Sequence, residues 1–416
     1  MRLMQRESLR LICGLVLAEI FSMVGFSSFA ATLVDFSRMW HLDSTEAGWI
    51  ISAYFIGYVL AVPVLVGTTD RVDSRKIYVA SSLAGVIGGA GFAFMAGGYG
   101  SAMFFRALAG ASLAGTYMPG LRILTERLND RLRLRVVPYY TASFGIGVSL
   151  SFLVTEWIKH IAGWRAAFLA SGLSSAAAII IVMGATAGFP KTGEASVAAP
   201  ERHPLDFRPV FANRDALAYI FAYGGHCWEL FALRAWLPAF LLFAWGHSRP
   251  GPPGTAVAQW STLIVLIGVP ASIVGAELAS QQGRRKLIRK IAIASVVLGI
   301  ISGLVSTLSY WVVVFVLFAY NFAVSADSGA LTTGAVAASR AGDEGATLAV
   351  HSILGFIGGA VGPLAVGVGL DICGGITAKE GWYLGFLFMV AGSALAALAI
   401  SCLPAKWPAR AEKQRL

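Results

Sequence analysis

Charged residues are scarce in this chain of 416 residues. Only 13% of the residues are charged and 57% are hydrophobic, which excludes an ordinary soluble domain, since such domains hold about 25% charged and 45–50% apolar residues. Cysteine is also rare. The four cysteines lie far apart, without the paired spacing of a metal site or a disulfide framework: Cys13, Cys227, Cys373 and Cys402.

The chain also lacks the motifs that mark catalysis or nucleotide use. It contains no phosphate-binding loop, dinucleotide fingerprint, metal-ligand spacing or nucleophile placed beside a base. The net charge of +10 comes without a soluble domain that would present a basic patch to nucleic acid. We therefore predict no enzymatic activity, no cofactor, no bound metal and no nucleic-acid partner.

Long apolar segments fill most of the chain instead. A helix of about 20 apolar residues spans a bilayer, and helices satisfy their backbone hydrogen bonds internally. Twelve segments have this character, and we predict that each is a transmembrane helix. They lie at about 11–34, 47–69, 77–98, 101–122, 136–157, 166–188, 216–245, 256–279, 288–307, 310–338, 347–370 and 382–403.

Basic residues cluster on one side of this arrangement. Most of the 32 Lys and Arg residues precede the first segment, follow every second segment or follow the last one. The positive-inside rule then places both termini in the cytoplasm of a multi-pass protein of the inner (plasma) membrane. The same basic residues would contact anionic lipid headgroups.

Two stretches about half the chain length apart share one pattern. Residues 70–76 (Asp-Arg-Val-Asp-Ser-Arg-Lys) end one apolar segment, and residues 280–286 (Ser-Gln-Gln-Gly-Arg-Arg-Lys) end another. At the same offset, Glu19 corresponds to Glu229. A membrane protein built from two like halves usually holds a solute between them, so this repeat favours a transporter.

The longest connection separates the two copies of the pattern. It contains four prolines and no sustained apolar face. We predict a six-helix bundle at residues 1–188, a cytoplasmic inter-bundle connection at 189–215 and a second six-helix bundle at 216–416.

The basic connections carry a resemblance to the major facilitator superfamily. In that family, the connection between helices two and three has an aspartate–arginine pair followed by basic residues. Four residues match this pattern: Asp70, Arg71, Arg75 and Lys76.

The second copy keeps the complementary part of the motif. Gly283, Arg284 and Arg285 are present, whereas Ser280 stands in place of the aspartate. Residues 106–110 (Arg-Ala-Leu-Ala-Gly) in helix four also resemble a family motif. A looser likeness connects the chain to nitrate/nitrite or cyanate carriers.

The resemblance implies an all-α membrane protein with twelve helices in two pseudo-symmetric bundles. It also implies a cytoplasmic gate made of two groups, Asp70 with Arg71, Arg75 and Lys76, and Gly283 with Arg284 and Arg285. For the basic residues alone, topological charge is an equally good explanation. Asp70, an acid among bases, is better explained by the gate.

Five charged side chains lie in helices one, four, seven and ten, which line the central cavity in this family. A charge at bilayer depth is costly, so each one is a candidate functional group. They are Glu19, Arg106, Glu229, Arg234 and Asp327.

Three of these charges are carboxylates that would couple transport to protons. We predict that Glu19, Glu229 or Asp327 takes up a proton, and His226 lies three residues before Glu229 on the same helix face. The alternative is that these acids form structural ion pairs.

The two arginines, one in each half, would clamp an anion between the bundles. The guanidinium group has a planar fork that suits carboxylate, nitrate or phosphate oxygens. The alternative for Arg106 and Arg234 is neutralisation of the intramembrane acids. Polar side chains that would orient the substrate are Tyr54, Tyr58, Tyr117, Tyr320 and Asn321.

We therefore expect a monomeric secondary transporter that moves a small organic or inorganic anion by alternating access in symport with H⁺. One alternative is efflux of lipophilic or cationic drugs by proton antiport, although helix five lacks the glycine–proline motif of such antiporters. A non-transporting membrane sensor is a third hypothesis, and no soluble signalling domain supports it.

Overall fold

The protein is all-helical in the computed structural model, which describes residues 2–68, 72–128, 130–189, 207–340 and 342–402. Of the sequence-predicted gate, Asp70 and Arg71 lie outside these residues. The helices are α1 Arg2–Ser22, α2 Ser28–Trp40, α3 Ser44–Thr68, α4 Ser74–Met95, α5 Tyr99–Glu126, α6 Asp130–Thr186, α7 Arg208–Phe211, α8 Arg214–Ser248, α9 Ala256–Leu266, α10 Gly268–Gln282, α11 Arg284–Leu304, α12 Tyr310–Ala326, α13 Ser328–Ala338, α14 Glu344–Ile372 and α15 Lys379–Cys402.

These helices correspond to the twelve predicted segments. Nine helical segments within the described residues are long and apolar enough to cross a membrane. One of them, in α6, holds two crossings because Gly163 breaks it at φ 81°. The pair α1–α2 and the helix α5 supply the remaining two.

Three segments that the sequence predicts to be continuous helices are broken. Residues 23–27 separate α1 from α2, Ile267 separates α9 from α10, and Asp327 separates α12 from α13. At the second break, Pro270 has no N–H to donate to the carbonyl of Leu266. Hydropathy reveals how long an apolar segment is. A short break in the helix does not change the hydropathy of that segment, so the sequence pattern does not reveal it.

The helices of each half approach one another closely at glycines. A Cβ atom on Gly110 of α5 would overlap the carbonyl oxygen of Tyr54 in α3. In the other half, a Cβ atom on Gly275 of α10 would overlap the carbonyl oxygen of Ala326 in α12. Such small residues let backbones touch where lipid removes the hydrophobic driving force.

The most extensive contacts between the two halves are made by three helix pairs. Helix α3 packs antiparallel to α14, α2 packs on α8, and α6 packs on α9. The connection between α2 and α3 lies at the same end of the molecule as Asp371, and we call this the Asp371 end. The opposite end, which carries Arg75, Arg127 and Arg285, is the basic end.

Contact between the halves is concentrated toward the Asp371 end. The segment of helix one nearer this end, α2, packs across the interface on α8, whereas α1 packs within its own half on α5 and α6. Likewise α9 contacts α6 more extensively than α10 does. Of the predicted connection at 189–215, the structure describes residue 189 and the residues from 207 onward, where α7 and the start of α8 lie.

Candidate substrate site between the two halves

A small cavity lies between the halves. Helices α2, α3 and α5 of the first half and α8 of the second half contribute its walls. Its lining residues are Phe26, Ser27, Ala30, Ile51, Phe55, Arg106, Phe231, Arg234 and Ala235. Both arginines that the sequence predicts as an anion clamp therefore lie at one cavity.

Arg234 carries a buried charge that no acid of the described residues neutralises. Its side chain is 9% exposed, and its Nε atom has no hydrogen-bond partner. Its guanidinium carbon lies 5.7 Å from the centre of the Phe231 ring. A buried cation without a partner is costly, so an anionic ligand in this cavity would lower the free energy of the site.

Arg106 has protein partners of another kind. Its two Nη atoms each donate a 3.0 Å hydrogen bond to a backbone carbonyl, one to Gly25 and the other to Phe26. These carbonyls belong to the break between α1 and α2, where regular helix bonding is lost. The guanidinium carbon also lies 4.5 Å from the ring centre of Tyr54. Arg106 thus stabilises the break between α1 and α2 and also lines the cavity.

Aromatic rings from both halves close around the cavity. No sequence motif marked Phe26, Phe55, Phe231 or Phe356. The ring centres of Phe55 and Phe231 are 4.7 Å apart, and those of Phe26 and Phe55 are 5.9 Å apart. Tyr58 stacks on Phe356 with ring centres 3.5 Å apart. The cavity therefore combines one uncompensated cation with flat apolar walls.

Glu19 lies inside the first half and is fully buried. The hydroxyl of Tyr140 donates to its Oε2 atom over 3.2 Å, and its Oε1 atom has no hydrogen-bond partner. The same tyrosine hydroxyl lies 3.0 Å from the carbonyl oxygen of Tyr117. Glu19 is not among the residues that line the cavity between the halves.

Glu229 lies inside the second half, where three hydroxyl groups donate to it. Tyr320 bonds to its Oε1 atom over 2.7 Å, and Ser295 bonds to its Oε2 atom over 3.0 Å. Ser393 also donates to Oε2. These donors come from α12, α11 and α15, so Glu229 is surrounded by its own bundle. Tyr320, predicted to orient the substrate, contacts this glutamate.

His226 pairs with Asp327, not with Glu229. The His226 Nδ1 atom lies 2.7 Å from Asp327 Oδ1, while its Nε2 atom has no hydrogen-bond partner. Asp327 is positioned here by the break between α12 and α13. Nearby, His351 stacks on Tyr223 with ring centres 3.8 Å apart.

Asn321 supports another helix break. Its side-chain amide donates to the carbonyl oxygen of Ile264 over 2.7 Å, in the last turn of α9. Tyr54 and Tyr58 lie close to the cavity through Arg106 and Phe356. Tyr117 packs on Phe144, which in turn contacts the cavity residue Phe26. Of the predicted polar side chains, the three tyrosines of the first half therefore lie near the substrate site, whereas Tyr320 and Asn321 bond within the second half.

At the basic end, the described part of the predicted gate centres on Asp73. This carboxylate accepts the backbone N–H of Arg75 at the start of α4 and pairs with the Arg75 guanidinium over 2.6 Å. Arg127 lies 3.9 Å away. Partial burial raises the pKa of Asp73. The hydrogen bonds from Arg75 and the positive charges of Arg75 and Arg127 lower the pKa by more than burial raises it, so it lies below the ordinary value. Lys76 is exposed.

The second copy of this motif is built differently. Gly283 has φ 88° and precedes α11, a backbone conformation that favours glycine. Arg285 pairs with Asp215 of α8 over 3.2 Å and lies over the ring of Tyr219. Arg284 begins α11 beside it.

Most of the sequence matches a known family. The sequence model of the Major Facilitator Superfamily matches residues 15–363. The chain belongs to this superfamily. It is therefore a multi-pass membrane protein, and the resemblance to this superfamily is confirmed.

Two curated relatives are transporters with partial similarity. The niacin transporter NiaP of Acinetobacter baylyi is 23% identical over 276 residues, or 59% of this chain and 61% of that protein. The voltage-gated purine nucleotide uniporter SLC17A9 of Rattus norvegicus is 25% identical over 268 residues, or 58% of this chain and 54% of that protein. The similarity thus spans less than two thirds of either relative.

Solved structures confirm the twelve-helix fold. A bacterial homologue of the human lysosomal transporter Spinster, inward-facing and unoccupied, superposes with a TM-score of 0.76. The two chains are 14% identical, and the match covers 95% of this chain and 98% of the other. Its inward-facing, occupied form gives a TM-score of 0.75 at 13% identity and covers 96% of this chain.

Proposed function

We propose that this transporter is a proton-coupled carrier of small organic anions. The observation that carries the proposal is Arg234, a buried cation at the cavity between the halves with no acid partner among the described residues. An anion bound there would supply the missing charge and would contact both halves. Arg106 would add a second positive charge on the opposite wall.

The walls of the cavity favour a flat ring next to the anionic group. Phe26, Phe55 and Phe231 offer faces and edges on which such a ring stacks. Niacin and purine nucleotides, named for the two relatives, are also anions with flat heteroaromatic rings. We therefore propose an aromatic carboxylate or a similar small anion as the substrate class.

We assign proton coupling to the His226–Asp327 pair first, and to Glu19 second. Arg234 lies eight residues beyond His226 on α8, which is about 12 Å along the axis at 1.5 Å per residue. The pair is therefore between the cavity and the basic end. When the imidazole of such a pair takes up a proton on its unpartnered nitrogen, its positive charge is balanced by the carboxylate. The protonated pair then has no net charge, which suits a dry interior.

The sidedness follows from charge. The basic end would face the cytoplasm, with both termini there, in a monomer of the inner membrane. Because contact between the halves is concentrated toward the Asp371 end, the cavity would communicate with the cytoplasm in this state. Asp70 and Arg71, with Asp73 and Arg75 beside them, would act at the cytoplasmic gate.

The test is transport by the purified protein in proteoliposomes. Nicotinate and benzoate are the anionic probes, and tetraphenylphosphonium is the cationic one. We expect the anions to raise the melting temperature of the wild type and an imposed proton gradient to drive their uptake. Both effects should be lost in Arg234→Ala and retained in Arg249→Ala, because the Arg249 guanidinium lies over Trp245 and Trp311 at the Asp371 end, away from the cavity.

The coupling assignment has a separate readout. In Asp327→Asn, we expect counterflow exchange of the anion to persist while gradient-driven accumulation stops. Unchanged accumulation in this variant would remove the pair from the coupling role. Stabilisation by tetraphenylphosphonium, without any effect of the carboxylates, would replace the anion carrier with an exporter of lipophilic cations.

A further inference from the structure

Asp371, at the last turn of α14, bonds to the first turn of a helix in the other half. Its Oδ1 atom accepts the backbone N–H of Ser44 over 2.9 Å. Its Oδ2 atom accepts the backbone N–H of Thr45 over 2.7 Å and the hydroxyl of Thr45 over 2.6 Å. One carboxylate thus receives three hydrogen bonds across the interface.

These bonds satisfy orphan groups of α3. The first N–H groups of a helix have no partner inside it, and the positive end of the helix dipole favours a negative charge there. Asp371 supplies both acceptor and charge, although it belongs to the opposite half of the molecule. It is therefore an N-terminal cap in trans.

The same helix end also has a cap from its own half. Asp43 Oδ1 accepts the backbone N–H of Glu46 over 2.7 Å, and Glu46 Oε2 accepts the backbone N–H of Asp43 over 3.2 Å. This reciprocal capping box would stay with α3 if the halves separated. Loss of the Asp371 bonds would then open the interface without unfolding the helix end.

The backbone contacts below Asp371 show how closely the two helices meet. A Cβ atom on Gly367 would overlap the carbonyl oxygen of Ser44, and one on Gly48 would lie 3.0 Å from the carbonyl oxygen of Pro363. Farther along, Ser52 donates to the carbonyl oxygen of Ala360. The bonds of Asp371 lie at the outer end of this α3–α14 contact. A small rotation of the halves would therefore break these bonds before the others.

We infer that Asp371 is a latch that holds the Asp371 end of the transporter closed and is released when this end opens. The inference rests on the two halves moving as bodies, as expected for this superfamily fold, and is independent of the substrate class. Hydrogen bonds to a charged group are stronger than neutral ones. When this end opens, however, water can bond to the carboxylate and to the N–H groups, which recovers part of the lost energy. The latch therefore favours the closed state of this end and still allows it to open.

The experiment measures the distance across the Asp371 end. Spin labels are placed on cysteines at Met39 and Leu308, which are exposed residues near this end in opposite halves. The four native cysteines are first replaced by serine. Electron–electron resonance in nanodiscs then gives the distance distribution. In Asp371→Asn, we expect the ratio of long to short distances to rise about tenfold or more.

Asp43→Ala is the matched control, because it removes the cap that α3 receives from its own half. It should lower the melting temperature and leave the distances unchanged. A latch is contradicted if Asp371→Asn also lowers only the melting temperature, since the carboxylate would then be a structural cap. If that variant fails to fold, Thr45→Val removes one of the three bonds and should move the distances in the same direction, by less. Unchanged distances in folded Thr45→Val would then overturn the inference.

Discussion

Replacing Arg234 with methionine should weaken anion binding and leave the empty protein at least as stable as before. The two effects have one cause. The described residues provide no carboxylate for this buried guanidinium, so the empty protein carries the cost of an uncompensated charge. Methionine fills a similar volume without that charge, while the bound anion loses its main partner.

The expected loss of affinity can be worked out from the charges. A guanidinium and a carboxylate at 4 Å attract by about 4 kcal/mol at an effective dielectric constant of about 20. Desolvation of the anion offsets part of this, which leaves roughly 2–3 kcal/mol, or about a 30- to 150-fold higher Kd. Isothermal titration with nicotinate or benzoate measures that ratio, and thermal unfolding of the empty protein measures the stability.

Arg106→Met is the informative comparison. Arg106 donates to two carbonyl groups at the break between α1 and α2. Its loss leaves those carbonyls unsatisfied, which costs roughly 1–3 kcal/mol for each buried group. We expect the melting temperature of this variant to fall. If Arg234→Met destabilises the empty protein as much as Arg106→Met does, Arg234 is a structural residue and the reasoning is wrong.

Three further outcomes follow from the packing. Gly275→Ala would force a Cβ atom onto a backbone carbonyl, so we expect the free energy of unfolding to fall by about 1–3 kcal/mol and the melting temperature to fall with it. Gly184→Ala is the control, because no atom lies within 4 Å of the added Cβ, and its melting temperature should change little. Glu229→Gln should also lower the melting temperature, because three hydroxyl donors lose a carboxylate acceptor; an unchanged value would mean that those hydroxyls bond elsewhere. Because the bonds from Arg75 lower the pKa of Asp73, their stabilisation is complete above the ordinary aspartate pKa of about 3.9 and is lost as the pH falls through the lower, folded value. The difference in melting temperature between the wild type and Asp73→Ala should therefore be largest near neutral pH and shrink below about pH 4; a constant difference would contradict the ion pair.

The intramembrane charges were visible in the sequence, but their partners were not. Helical spacing placed His226 on the same face as Glu229, whereas the structure pairs His226 with Asp327 and surrounds Glu229 with hydroxyl groups. Arg106 was expected to meet an acid or an anion, and it also binds backbone carbonyls. That partnership exists only because helix one is broken, and hydropathy carries no sign of the break.

The sequence by itself determined the membrane class, the twelve apolar segments and the likeness of the two halves. These properties run along the chain: a bilayer has a set thickness, and its apolar core requires backbone groups to bond within each helix. The tertiary structure alone decided which polar groups meet, including Asp371 with the start of α3. Such meetings depend on the rotation and tilt of helices far apart in sequence, and a turn of about 100° per residue moves a side chain from one neighbour to another.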